Sequence, residues 1–220
     1  MAGGKGKRLG FITKKTAKPI ININDKPFLI HQVNWLIKNG FTQFYFLLAY
    51  KNKKMKKVID NFFSKKKLKY EIFLDKSKGT FPAIYKSLKS ISSEFFYTNA
   101  DEISYFRIKK MYKNFRSSKS IITCAVLSSN KGKLILNKNK KKIEINNNQK
   151  LNLYKDCGYK FINKKVFKNI RNKNFNKLED FIYNEYIKFN RVGYYIINKL
   201  PFRIDTAKDI QRAKKNLINE

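Results

Sequence analysis

The sharpest chemical signal is at the amino terminus, in Gly3-Gly4-Lys5-Gly6-Lys7-Arg8-Leu9, with Lys18-Pro19 ten residues after Arg8. Closely spaced glycines let several backbone N–H groups converge on one phosphate, because glycine alone tolerates the angles and the close approach. Arg8 adds a planar fork suited to a pyrophosphate, and Lys18 adds a point charge. This is not a Walker loop, which ends in Lys-Ser/Thr, nor a dinucleotide fingerprint, whose glycines are spaced differently. Taken alone, a flexible glycine-rich tail would look the same. Two carboxylates join the candidates because each follows a strand-like run: Asp101 after 94–98 (EFFYT) and Asp205 near the carboxyl end. In open α/β sheets ligands sit at the carboxyl ends of strands. Either aspartate could instead be a turn or helix-capping residue, and Asp205-Thr206 is an ordinary helix start.

The elements that must position these residues alternate. Residues 25–39 predict a helix, with Asp25 in the N-cap region, Pro27 in the first turn and Gly40 as the left-handed stop. Residues 41–49 read as a buried strand and 52–63 as a helix. A strand at 70–74, a helix from Pro82 to about Ser90, a strand at 94–98, a helix at 106–116 and a strand at 120–127 follow. The middle changes character: 133–136 and 142–145 alternate around Asn-Lys-Asn and predict a hairpin. Strands at 157–162 and 193–198 flank a helix around 178–188, and a last helix runs from about Ala207 to Leu217. The pattern is that of an α/β domain with a mixed sheet.

Composition bounds the partners. A chain of 220 residues is expected to form one domain able to bury about 70% of its unfolded surface, with no need of disulfides or metal to fold. Two cysteines are too few for a disulfide scaffold or a zinc ribbon. No apolar run approaches a membrane span of about 20 residues, and no apolar stretch follows the amino-terminal charges. These readings lead to the expectation of a soluble protein of a reducing compartment. The net charge of +35 raises the question of nucleic acid. Of the 50 basic residues, however, 43 are lysines and seven are arginines. Arginine is the side chain that reads bases and forks onto phosphates. Lys, Asn, Ile, Phe and Tyr, all abundant here, have A/T-rich codons, so base composition accounts for the excess without a partner. A basic nucleic-acid-binding protein stays as the alternative from another class. His31 and Cys124 fit core packing, and Cys157 lies near the Gly158 strand without the partners of a nucleophile.

Taken in order, these segments resemble the sugar-1-phosphate nucleotidylyltransferases over nearly the whole chain, with the heptose-1-phosphate guanylyltransferase-like branch nearest. The amino-terminal glycines resemble the family's Gly-Gly-x-Gly-Thr-Arg-Leu loop, and Lys18-Pro19 its later Pro-Lys. Asn24-Asp25-Lys26-Pro27-Phe28-Leu29 resembles its Lys-Pro-Leu/Phe-Leu helix start, and Lys78-Gly79-Thr80 its base-recognition turn. Asn99-Ala100-Asp101 stands where the family has Asn-Gly-Asp. Cys157-Gly158-Tyr159-Lys160-Phe161 stands at a Gly-containing strand, Leu178-Glu179-Asp180 at a Leu-Glu-Glu/Asp helix, and Ile204-Asp205-Thr206-Ala207-Lys208-Asp209 at the last motif.

The resemblance implies a Rossmann-like three-layer sandwich with a mixed, mostly parallel sheet of the nucleotide-diphospho-sugar transferase type. It implies a single domain over 1–220, with a nucleotide-binding half at 1–127 and a sugar-binding half with a small hairpin at 128–220. Gly3, Gly4, Lys5 and Gly6 would hold a nucleoside triphosphate, with Gly79 and Thr80 near the base. Arg8, Lys18 and Asp101 would be catalytic, and Asp101 with Asp205 would hold Mg²⁺. Gly158, Glu179 and Lys150 would face the sugar. The partners implied are a nucleoside triphosphate and a sugar-1-phosphate, with neither nucleic acid nor membrane, in the cytoplasm, and a homo-oligomer is allowed. The activity implied is formation of an NDP-sugar for surface polysaccharide or lipopolysaccharide.

The departures are Lys7 for Thr, Ala17 for the Pro before Lys18, Phe81-Pro82 after Gly-Thr, Ala100 for Gly, Gln149-Lys150 for Glu-Lys, and a last motif without its Gly. The family also has an apolar strand before the glycine loop, and Met1 already lies inside that motif, so a misplaced start or a truncation is expected. These departures leave a catalytically impaired relative that binds nucleotide or sugar phosphate as the second reading.

Overall fold

The computed structural model describes residues 1–2, 6–74, 79–145, 153–168, 170 and 174–217. In chain order the elements are α1 (Phe11–Lys15), β1 (Asn22–Ile23), β2 (Lys26–Pro27), α2 (Phe28–Lys38), β3 (Gln43–Leu48), α3 (Asn52–Phe63), β4 (Lys69–Leu74) and α4 (Thr80–Ser87). Then come β5 (Glu94–Tyr97), β6 (Glu102–Ile103), α5 (Ile108–Ser117), β7 (Ile122–Ser128), β8 (Leu134–Asn137), β9 (Lys142–Ile145) and β10 (Tyr154–Asn163). The chain closes with α6 (Leu178–Glu185), β11 (Val192–Ile196), β12 (Phe202–Arg203) and α7 (Ala207–Asn216). They fall into two compact units, one of Met1–Ser77, Asn99–Tyr105 and Pro201–Glu220, the other of Lys78–Thr98 and Phe106–Leu200.

In the first unit β3 and β4 pair in parallel from Gln43–Lys69 to Leu48–Leu74. On α3 the buried residues Met55, Ile59 and Phe63 recur every four residues, the spacing of one helix face. Phe63 stacks on Tyr70 of β4 at 4.7 Å and lies 5.4 Å from Phe44 of β3. The helix at 25–39 starts later than its sequence suggests. Asn24 and Asp25 both have positive φ, 48° and 64°, and form the two-residue turn between β1 and β2. Asp25 is therefore a turn residue, Pro27 takes the N-cap position of α2, and Gly40, at φ 92°, ends the helix as expected. Ala2 makes an isolated bridge beside β3: it pairs with Leu48 in parallel, Ala2 N–H donates to Leu47 O at 3.0 Å, and Ala100 N–H donates to Met1 O at 2.8 Å.

In the second unit six strands form one mixed sheet in the order β5-β10-β7-β11-β9-β8, and β8 also meets β10 at Leu134–Tyr154. The pair β7–β11 is parallel and the other pairs are antiparallel. Parallel pairing among the described residues is thus confined to β3–β4, β7–β11 and the Ala2–Leu48 bridge. The hairpin β8–β9 forms where the alternating runs predict it, with Ile143 facing the core. Phe81 of α4, Phe167 and Phe181 of α6 make an aromatic cluster with centroid separations of 4.8 to 6.1 Å. The predicted helix 178–188 stops at Glu185, and a separate 3-10 turn covers Ile187–Phe189.

Candidate active site

Two lysine–carboxylate clusters stand out, one in each unit. The first is built on Lys18, the opening residue of a 3-10 turn that Pro19 pre-forms through its fixed φ. Its ammonium is nearly buried and donates to Asp101 Oδ2 at 2.6 Å and to Asp205 Oδ1. Arg8, itself well exposed, reaches the same Asp205 oxygen at 3.0 Å through Nη2. Asp101 and Asp205 are far apart in sequence and meet because β6 and β12 pair antiparallel, with Glu102 opposite Arg203 and Ile103 opposite Phe202. The residue before β6 and the residues after β12 therefore lie at the same end of this short ladder, and Ile204 N–H donates to Asp101 O at 3.3 Å.

Buried neighbours brace that ladder. Arg203 Nε donates to the buried Glu102 Oε2 at 2.9 Å, and Gln32 Nε2 donates to Asn99 O at 2.7 Å and Glu102 O at 2.6 Å. Asp205 is free of helix-capping duty. Thr206 is the N-cap of α7, in a capping box with Asp209. Burial pushes the Asp205 carboxyl up, but the hydrogen bond and charge of Lys18, with Arg8 and Arg203, outweigh it and hold the carboxyl below its ordinary value.

Gly6 abuts this cluster. Its φ of 62° suits glycine, and a Cβ there would stand 2.9 Å from Thr13 Cγ2 and 3.3 Å from Lys18 Cβ. Thr13 Oγ1 and Leu9 N–H both donate to Gly6 O at 3.0 Å, fixing the turn that leads into α1. Gly3, Gly4 and Lys5 lie outside the described residues, as does Lys150.

The second cluster is built on β10. Gly158, at φ 82°, sits in a bulge where the register against β7 shifts between Asp156 and Lys160. Gly158 N–H donates to Asp156 Oδ1 at 2.8 Å, and Lys160 Nζ lies 2.8 Å from Asp156 Oδ2 and 3.6 Å from Glu179 Oε1. Gly79 and Thr80 help to place Glu179. A Cβ on Gly79 would stand 2.1 Å from Asn176 O, and Thr80 Oγ1 accepts the N–H of Leu178, the first residue of α6, at 2.8 Å. Gly79 and Thr80 thus join α4 to the start of α6. Asp156 lies just before the Cys157–Phe161 motif and Lys160 within it, and the motif marks a role for neither. The available signal is a lysine between Tyr159 and Phe161 in an apolar strand, with an acid four residues earlier.

The remaining candidates are structural. His31 Nε2 lies 2.8 Å from Ile23 O inside the first unit. Cys124 and Cys157 are buried and form no disulfide, and burial drives the Cys124 thiol far above its ordinary pKa. Among the described residues no group of three His, Cys, Asp or Glu side chains forms a metal cage. No helix among them is long and apolar enough to cross a membrane.

These elements define an α/β chain with the nucleotide-diphospho-sugar transferase fold. It is similar to the crystal structure of HddC from Yersinia pseudotuberculosis complexed with GMP-PN, with a TM-score of 0.79 at 19% identity over 98% of this chain and 96% of that one. Residues 1–133 match the Nucleotidyl transferase family, and the chain belongs to that family. It is 33% identical over 114 residues to the D-glycero-alpha-D-manno-heptose 1-phosphate guanylyltransferase of Campylobacter jejuni, a match covering 52% of this chain and 51% of that protein. It is 30% identical over 147 residues to the mannose-1-phosphate guanylyltransferase catalytic subunit beta of Drosophila melanogaster, covering 62% of this chain and 39% of that one. The chain thus spans about half the length of the first of these relatives and less of the second.

Proposed function

We propose that this protein transfers a nucleotidyl group from a nucleoside triphosphate to a sugar-1-phosphate, giving an NDP-sugar and pyrophosphate for surface polysaccharide or lipopolysaccharide. The observation that carries the reading is the convergence of Asp101 and Asp205 on Lys18, beside Arg8 and Gly6. The sugar-1-phosphate oxygen attacks the α-phosphate in line, and the protein's work is positioning and charge neutralisation. Gly3, Gly4, Lys5 and Gly6 hold the triphosphate through backbone donors. Arg8 steadies the leaving pyrophosphate, and Lys18 contacts phosphate near the reacting centre. Gly79 and Thr80 border the base, while Gly158, Glu179 and Lys150 face the sugar. In this reading the whole chain, 1–220, is one catalytic domain, with the nucleotide half at 1–127 and the sugar half at 128–220.

The donor set suits a divalent ion. Two carboxylates already share one cationic point, and Mg²⁺ characteristically takes one or two carboxylates and completes its shell with water and substrate phosphates. Asp101 and Asp205 would hold it, and when bound it supplies neutralisation of phosphate charge. GTP is the first triphosphate to test, since the relatives named above are guanylyltransferases. Dependence on a nucleoside triphosphate pool supports a cytoplasmic location. The lysine-rich, arginine-poor surface supports a small anionic substrate over a nucleic acid.

Pyrophosphate release, measured with Mg²⁺ across a panel of triphosphates and sugar-1-phosphates, tests the proposal. Asp101→Asn should cut turnover by a factor of about a thousand, or about 4 kcal/mol in the barrier, with an unchanged thermal melt. Unaltered turnover in that variant would remove Asp101 from the site.

A further inference from the structure

Lys160 is the most confined charge among the described residues of the second unit. Its side chain has no exposed surface, although it lies on β10 between Tyr159 and Phe161. Burying an ammonium costs several kcal/mol unless it is closely paired. Here the pairing is with Asp156, whose Oδ2 and Oδ1 lie 2.8 and 3.1 Å away, and with Glu179 Oε1 at 3.6 Å. The ring of Tyr97 stands 5.5 Å from the ammonium. Burial opposes the charge, yet Asp156, Cys124, Glu179 and Tyr97 together hold the pKa above the ordinary lysine value.

The arrangement is layered. The cation is fully inside, while the Asp156 and Glu179 side chains remain 28% and 39% exposed. The Asp156 carboxylate also accepts the Gly158 N–H, and the backbone before Glu179 is tied down where the Leu178 N–H donates to Thr80 Oγ1. With one positive and two negative charges, the group carries a net charge of −1. Such a surface repels phosphate and carboxylate groups and accepts hydrogen bonds from hydroxyls.

We propose that Lys160 is a positioning residue that fixes Asp156 and Glu179 as a pair of acceptors for the hydroxyls of an uncharged sugar ring, and so selects neutral over acidic sugar phosphates. This rests on the sugar-1-phosphate reading above.

The test uses the full chain with Mg²⁺, GTP, and mannose 1-phosphate, glucose 1-phosphate or glucuronic acid 1-phosphate. Turnover and calorimetric binding of each sugar phosphate are measured. The wild type should favour glucose 1-phosphate over glucuronic acid 1-phosphate by tenfold or more. Lys160→Met should raise KM and Kd for the neutral sugar phosphates at least tenfold, while kcat and the KM for GTP move less than threefold. Lys160→Gln, which keeps an N–H donor, should lose less, and it carries the test if the methionine variant does not fold.

Equal binding of the glucose and glucuronic acid compounds by wild type, or parallel changes in kcat and both KM values, would overturn the proposal and leave the transferase reading standing. So would unaltered kinetics, or a failure of both variants to fold. If wild type binds the sugar phosphates without releasing pyrophosphate, and Lys160→Met weakens that binding, the transferase reading fails and the assignment of Lys160 stands. If wild type binds none of the three, both fall.

Discussion

Lys18 and Lys160 are both buried and each holds two partly exposed carboxylates, and the clusters differ in where the acids come from and in what stands beside them. Lys18 gathers acids from two distant segments of the first unit, with exposed Arg8 beside them. Counting Arg8, that group is neutral, and its outer members face solvent. It suits a charged ligand that brings its own counter-ion. Lys160 pairs with an acid of its own strand and one from α6, is sealed from solvent, and leaves an uncompensated negative charge. That group suits hydroxyl donors. The same residue types therefore support different chemistry according to what stands beside a buried lysine: exposed Arg8 gives the first group a cation that can meet phosphate, and the second group has no such partner among the described residues.

Substitutions in the two clusters should separate along the same line. Lys18→Met should lower kcat about a hundredfold, or about 3 kcal/mol, with a smaller change in the KM for the sugar phosphate. A pure KM effect in that variant would erase the distinction. Glu179→Gln should raise the KM for the sugar phosphate about tenfold, close to 1.4 kcal/mol, with kcat nearly constant, as steady-state kinetics would show. A kcat defect there matching that of Lys18→Met would merge the two clusters into one role.

Gly6→Ala sharpens the comparison on the stability axis. The left-handed φ and the 2.9 Å approach to Thr13 Cγ2 predict a loss of about 1–3 kcal/mol in urea unfolding. Neutral stability would mean that the turn beside Lys18 yields easily. The smallest effect concerns acid. Asp205 is held below its ordinary value of 3.8 when folded, so its stabilisation is complete above that pH and is lost as pH falls through the lower folded value. In metal-free buffer, Asp205→Asn should show a shallower decline in stability below pH 4 than wild type. Parallel declines would deny the coupling to Lys18.

Much of this architecture is legible in one dimension. Helix α3 appears at its predicted residues because Met55, Ile59 and Phe63 repeat at helical spacing. The hairpin at 134–145 appears because alternation and turn residues are local signals. The start of α2 shifts because Asn24 and Asp25 take left-handed turn geometry, which competes with an N-cap reading of the same residue types. Asp101 and Asp205 could be marked as candidates, but each also reads as an ordinary turn or cap. The capping box on Thr206 and the β6–β12 ladder decide between those readings. Lys160 falls inside the Gly158 motif without being marked as a site residue, because a buried lysine and a surface lysine are the same letter in a chain with 43 of them.

The order of strands and helices, the glycine-rich opening, the lysine-heavy charge and the candidate acids were set by the sequence alone, since they depend on local periodicity and residue chemistry. Which carboxylates meet which lysine, and that both of those lysines are withdrawn from solvent while Arg8 is not, was decided by tertiary structure. Pairing between distant strands brings those groups together, and the burial of a charge, which no local pattern encodes, determines which groups are left open to a ligand.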